Sequence, residues 1–111
     1  MKRVMYKKVI NENKENRTEF LLINFDYEDG NDYLAKIFNK EFNMKVEKKK
    51  DYIWFSIVKL CEKKTCYELL WHEDIGNIIY SLEQDEDTVN ELELRLQKVL
   101  DVVNIKILES N

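Results

Sequence analysis

The densest hydrophobic pattern in the chain runs from Tyr52 to His72, YIWFSIVKLCEKKTCYELLWH. Two runs rich in aromatic and β-branched residues flank a polar break at Glu62 to Thr65, the signature of a β-hairpin. With the turn centred on Lys63 and Lys64, Cys61 pairs with Cys66, Leu60 with Tyr67, Lys59 with Glu68, Val58 with Leu69, Ile57 with Leu70 and Ser56 with Trp71. Such cross-strand pairs contribute about 0.2–1 kcal/mol each, and a one-residue slip would turn every side chain to the opposite face. Lys-Lys is poor chemistry for the tightest hairpin turns, so a four-residue loop that keeps these pairs is an equal expectation.

The register sorts the hairpin into two faces. Trp54, Val58, Leu60, Tyr67, Leu69 and Trp71 form the expected core face. Ile53, Phe55, Ile57, Lys59, Cys61, Cys66, Glu68, Leu70 and His72 form a second face, more apolar than a solvated sheet surface normally is. Two explanations stand side by side: another segment of the chain covers it, or a partner does.

The remaining pattern supplies the other elements. Arg3 to Ile10 reads as a strand, Asn11 to Arg17 as a polar loop and Thr18 to Phe25 as a buried strand. Asp26 to Gly30 breaks that strand and leads into a helix, capped by Asp29 or Asn31, whose stripe is Tyr33, Leu34, Ile37, Phe38 and Phe42. Asn43 to Glu47 is a short strand and Lys48 to Lys50 a turn ahead of the hairpin; Glu73 to Gly76 is the next turn. For the strand Asn77 to Glu83, pairing of Trp71 with Ile78 puts Ile78, Tyr80 and Leu82 on the core face, and Asn77, Ile79 and Ser81 on the other. A capping box at Thr88 and Glu91 opens the last helix, whose stripe is Val89, Leu92, Leu96, Val99 and Val103; Ile105 and Ile107 either extend it or turn into an edge strand.

The order is therefore β-β-α-β-β-β-β-α. It predicts one α+β domain over residues 1–111, an antiparallel meander of five or six strands with both helices on one face. The length suits a single core, and no run reaches the roughly 20 apolar residues of a membrane span. The start, MKRVMYKKVI, lacks the apolar centre of a secretory signal, so the expected location is the cytoplasm. There Cys61 and Cys66 are expected to be thiols serving as packing residues, although the register brings them within reach of a bridge. The scarcity of glycine and proline, with abundant Lys, Asn and Ile, suits an AT-rich bacterial or phage source.

Composition narrows function mainly by exclusion. With 22 acidic against 18 basic residues the formal charge is −4, which argues against a general nucleic-acid binder. The stretch DYEDGND opens like a calcium loop, but its glycine falls one place early and Ile37 stands where a bidentate glutamate is needed. No metal or cofactor is expected. The single histidine, His72, lies six strand positions from Cys66, roughly 20 Å away at about 3.3 Å per residue, too far for a catalytic pair.

The expectation is a small acidic protein-binding module without catalytic activity, with the physique of inhibitors such as immunity proteins or antitoxins. Its candidate partner-binding residues are the acidic groups at the helix starts, Glu28, Asp29, Asp85, Glu86 and Asp87, suited to a basic partner. The alternative is a homodimer that pairs the apolar second face, Ile53, Phe55, Ile57, Leu70 and Ile79, with its copy. A further alternative is a small-ligand binder or enzyme with a pocket between sheet and helices, lined by Trp54, Trp71, Tyr67 and Tyr80.

Overall fold

The computed structural model describes residues 2–110. The elements are β1 (Met5–Asn11), β2 (Arg17–Ile23), α1 (Gly30–Phe42), β3 (Lys45–Asp51), β4 (Phe55–Glu62), β5 (Thr65–His72), β6 (Gly76–Ser81) and α2 (Glu86–Ser110). The six strands make one antiparallel sheet in the order β1-β2-β6-β5-β4-β3, with the β1–β2 hairpin added beside the end of the meander. This is the expected α+β arrangement.

The central hairpin takes the predicted register pair for pair, closed by Lys63 and Lys64 alone, with Lys63 at φ 55°. Val58, Leu60, Tyr67 and Leu69 enter the core against the helices, where the whole α2 stripe from Val89 to Val103 is buried. α1 contributes Leu34, Ile37 and Phe38, and its last residue Phe42 packs beside Phe38. α2 continues through Ile105 and Ile107 to Ser110, so these residues extend the helix and form no edge strand.

Four details depart from the sequence reading. Lys48 to Lys50 lie in β3 and not in a turn; the chain reverses at residues 52–54, which leaves Trp54 outside the strand and 61% exposed. Lysine is common on edge strands because it blocks further pairing. The β5–β6 connection is tighter than expected: His72 pairs with Gly76 at φ 101°, so Trp71 faces Asn77 and Leu70 faces Ile78. That one-residue shift turns Asn77, Ile79 and Ser81 inward, moves Ile78 and Tyr80 to the other face and leaves Leu82 exposed. At the start of α2 the cap is Asp85, whose carboxylate accepts from the Thr88 N–H and hydroxyl, three positions before the predicted Thr88 cap. Finally, Cys61 and Cys66 are joined in a disulfide. Closing so short a loop stabilises by about 2 kcal/mol, so reduction is expected to cost about that much and to leave the sheet signal in circular dichroism unchanged.

The Tyr67 hydroxyl is buried without a hydrogen-bond partner among the described residues. Burial pushes the phenol up to about 12, with the Arg95 charge opposing. Because the folded protein favours the neutral phenol, this group's contribution is complete below its ordinary value of 10 and is lost as pH rises towards 12. Tyr67→Phe is expected to raise stability by about 1 kcal/mol in urea melts at neutral pH and to remove that part of the alkaline loss.

Candidate functional site

Both helices cover one side of the sheet, and the registers fix what the other side presents. One row crosses all six strands: Lys7, Leu21, Ile78, Leu70, Ile57 and Lys50 are successive cross-strand neighbours. Its centre is apolar and a lysine closes each end. Towards the β4 start lie Ile23, His72 and Phe55, with the Tyr52 ring stacked on Phe55 at 4.4 Å and 21°. Ile57, Leu70, Leu21 and Ile23 are only half-buried, because neighbouring strands shield them and no helix does.

The patch runs past the strand ends into two loops. Glu73 N–H donates to the Trp54 carbonyl at 2.9 Å, which joins the 52–54 and 73–75 loops; these carry the exposed Ile53 (83%), Trp54 and Ile75. An apolar strand face, half-buried and uncovered by any helix, that leads into exposed apolar loops is a candidate interaction site.

The opposite half of this face is charged and mostly self-satisfied. Glu19 pairs with Arg17 at 2.6 Å and accepts from Asn11; the Arg17 guanidinium lies 3.6 Å from the Tyr80 ring centre. Tyr80 donates its hydroxyl to Glu68, and Lys59 pairs with Glu47 at 3.1 Å. Each carboxylate on the face therefore has a partner. Lys48 and Lys50 have no carboxylate within ion-pair distance among the described residues.

Of the predicted face residues, Phe55, Ile57 and Leu70 lie on this surface and Ile53 on its rim. Ile79 does not: the β6 shift buries it completely among the helix-facing residues. Leu21 and Ile23 belong to the surface and were not anticipated, because the continuous run Phe20 to Ile23 reads as buried on both sides; Ile78, in the same row, is itself buried at 6% exposure. The predicted aromatic pocket is not formed either. Tyr67 faces the helices, Tyr80 faces away from them, Trp54 is in the exposed loop and Trp71 donates to Asp26 at 2.9 Å.

The acidic groups are divided between the two ends of the sheet. Glu28 and Asp29 stand at the start of α1, next to Tyr27, whose N–H is held by Asn77 at the beginning of β6. Asp85, Glu86 and Asp87 stand beyond the other end of β6, where Gln84 accepts from Thr18 and donates to Ser81. The two clusters are thus separated by the length of β6. Asp85 is engaged as a cap, and the Thr88 hydroxyl and N–H hold its carboxyl below the ordinary 3.8. The depressed value means that this contribution is present above pH about 4 and is lost as pH falls through the folded value. Asp85→Ala is expected to lower the melting temperature at pH 7, by an amount that shrinks as the pH falls below 4.

Chemistry-bearing groups elsewhere are occupied. His72 Nδ1 accepts from the Asp74 N–H at 3.0 Å. The Glu47 carboxylate and the two sulfurs lie within 4.8 Å of one another, but the sulfurs are bonded together and Glu47 holds Lys59. A cavity of about 460 Å³ opens where the α1 start meets the α2 end, walled by Val4, Phe25, Tyr27, Tyr33, Val103 and Ile107.

Protein-family models, characterised proteins and solved structures offer no match to this chain.

Proposed function

We propose that this chain is a protein-binding module without catalytic activity, and that its partner, a different protein, docks on the uncovered face of the sheet. The observation that carries the reading is the apolar row Leu21, Ile78, Leu70 and Ile57, extended by Phe55 and the exposed Ile53–Trp54 loop. Aromatic and aliphatic residues grouped at the centre of a surface, with charge at its rim, are the anatomy of a docking site.

The charges favour a different protein over a second copy. In a face-to-face dimer Lys48 and Lys50 would need carboxylates from the same face, yet Glu19, Glu47 and Glu68 are already engaged. A partner with an apolar centre and free acidic groups at its rim meets both demands. Small size and an acidic surplus suit an inhibitor that covers its partner's surface, in the manner of immunity proteins or antitoxins. Cytoplasmic residence belongs to the same proposal. In that compartment the Cys61–Cys66 pair would stand as thiols, while the two-residue turn and its flanking pairs hold the register.

Sedimentation of the purified chain is expected to return a monomer of 13.5 kDa across the accessible concentration range. A concentration-dependent dimer that Phe55→Lys disperses would give the face to a second copy instead.

A further inference from the structure

The edge strand β3 reads Lys45-Val46-Glu47-Lys48-Lys49-Lys50-Asp51, and a register shift between Val46 and Lys48 sets how its lysines are distributed. Lys49 pairs with Asp32 at 2.7 Å and approaches Asp51 at 3.9 Å. Lys48 and Lys50 alternate to the uncovered face, where Lys48 is the cross-strand neighbour of Lys59 and Lys50 of Ile57. Together with Lys59 they border a depression of about 290 Å³ whose remaining walls are Tyr52, Phe55, Ile57 and Glu68.

Two features of this depression are unusual for a solvated edge. Its ammonium groups crowd one another: Lys48 is held below its ordinary value chiefly by the neighbouring Lys50. Such crowding is unfavourable until an anion enters; the Glu68 carboxylate, which also accepts from Tyr80, offsets it only in part. The second feature is the parallel Tyr52–Phe55 pair, which offers a flat apolar platform directly beside the ammonium groups. An acidic protein side chain would use the lysines and leave the rings idle, whereas a phosphate attached to a planar base uses both.

We propose that this depression binds a nucleotide unit, with its phosphate on Lys48 and Lys50, its base on the Tyr52–Phe55 pair and Lys59, held by Glu47, at its border. The site is local, three lysines on a chain of net charge −4, so it suits one nucleotide and not a duplex backbone. The inference does not require a protein partner; because Lys48, Lys50 and Phe55 also belong to the proposed docking face, a nucleotide and a partner would compete for them.

The test is an NMR titration of the isotopically labelled chain at low salt with adenosine monophosphate, inorganic phosphate, a ten-residue oligothymidylate and an oligoglutamate peptide. Adenosine monophosphate is expected to shift β3, β4 and Tyr52 resonances. The double variant K48M/K50M should weaken it at least about tenfold, and Y52A by several-fold, while K49M leaves binding unchanged. Lys48, Lys49 and Lys50 are exposed, and an unchanged circular dichroism spectrum confirms the fold of each variant. Binding of adenosine monophosphate assigns the free nucleotide; binding of the oligothymidylate alone assigns the same chemistry to a single strand. Binding by neither, affinity unchanged in K48M/K50M, or inorganic phosphate or oligoglutamate binding as tightly as the nucleotide would overturn the proposal.

Discussion

Phe38→Ala is expected to destabilise the protein by about 3–5 kcal/mol, and Phe55→Ala by less than about 1.5 kcal/mol, in chemical denaturation at neutral pH. Both changes remove the same ring. Phe38 is fully buried between α1 and the sheet, with the Phe42 and Tyr67 rings at 6.3 and 6.1 Å, so truncation leaves a cavity that the surrounding core cannot fill. Phe55 lies on the uncovered face under Tyr52 alone, and water replaces what is removed. The difference between the two values measures how completely each side of the sheet is covered. Equal costs would mean that some part of the chain closes over the outer face.

The second large effect concerns a polar cluster inside the fold. Asn77 is fully buried; its amide oxygen accepts from the Tyr27 N–H at 2.9 Å, and its nitrogen donates to the Tyr27 carbonyl and to Asn31 Oδ1. Asn31 in turn donates to the Ser56 carbonyl and hydroxyl, so the two amides tie β6, the α1 entry and β4 together. Asn77→Ala strands these groups and is expected to cost about 2–3 kcal/mol. Asn77→Asp should cost more, because a buried carboxylate would face two acceptors, Tyr27 O and Asn31 Oδ1, where the amide now donates. Thermal unfolding of the two variants checks the ordering. Gly30 belongs to the same cluster, since a Cβ there would stand 2.7 Å from the Phe25 ring and 3.1 Å from the Asn77 nitrogen.

That cluster also explains where the sequence was legible and where it was not. The α2 stripe and the central hairpin could be read directly, because period and burial agree: Val89 to Val103 recur at helical spacing, and Leu60–Tyr67 and Lys59–Glu68 pair as their chemistry suggests. β6 could not. Its inward residues include Asn77 and Ser81 and its outward ones Ile78 and Tyr80, so hydrophobicity favours the wrong face. The deciding energy comes from hydrogen bonds to Tyr27 and Asn31, partners about fifty residues away in sequence. β3 was hidden for another reason. Three consecutive lysines resemble a solvated turn, yet on an edge strand they discourage further pairing and keep the strand.

The candidate surface was half visible. Phe55, Ile57 and Leu70 followed from the hairpin register, but Leu21, Ile23 and Ile78 depend on β2 pairing with β6 across more than fifty residues. The separation of the acidic helix starts likewise depends on tertiary structure. Nothing local places Asp29 and Asp85 at opposite ends of β6.

The most direct test of the docking proposal is a binding titration against the partner itself. The wild-type chain and Leu70→Glu would be used side by side to capture proteins from the native host, and any protein retained by the wild type alone would be purified and titrated against both. A charge at the centre of the apolar row is expected to weaken binding at least about a hundredfold while leaving the fold intact. Equal affinity of the two chains for the purified partner would show that the uncovered face is not where it docks.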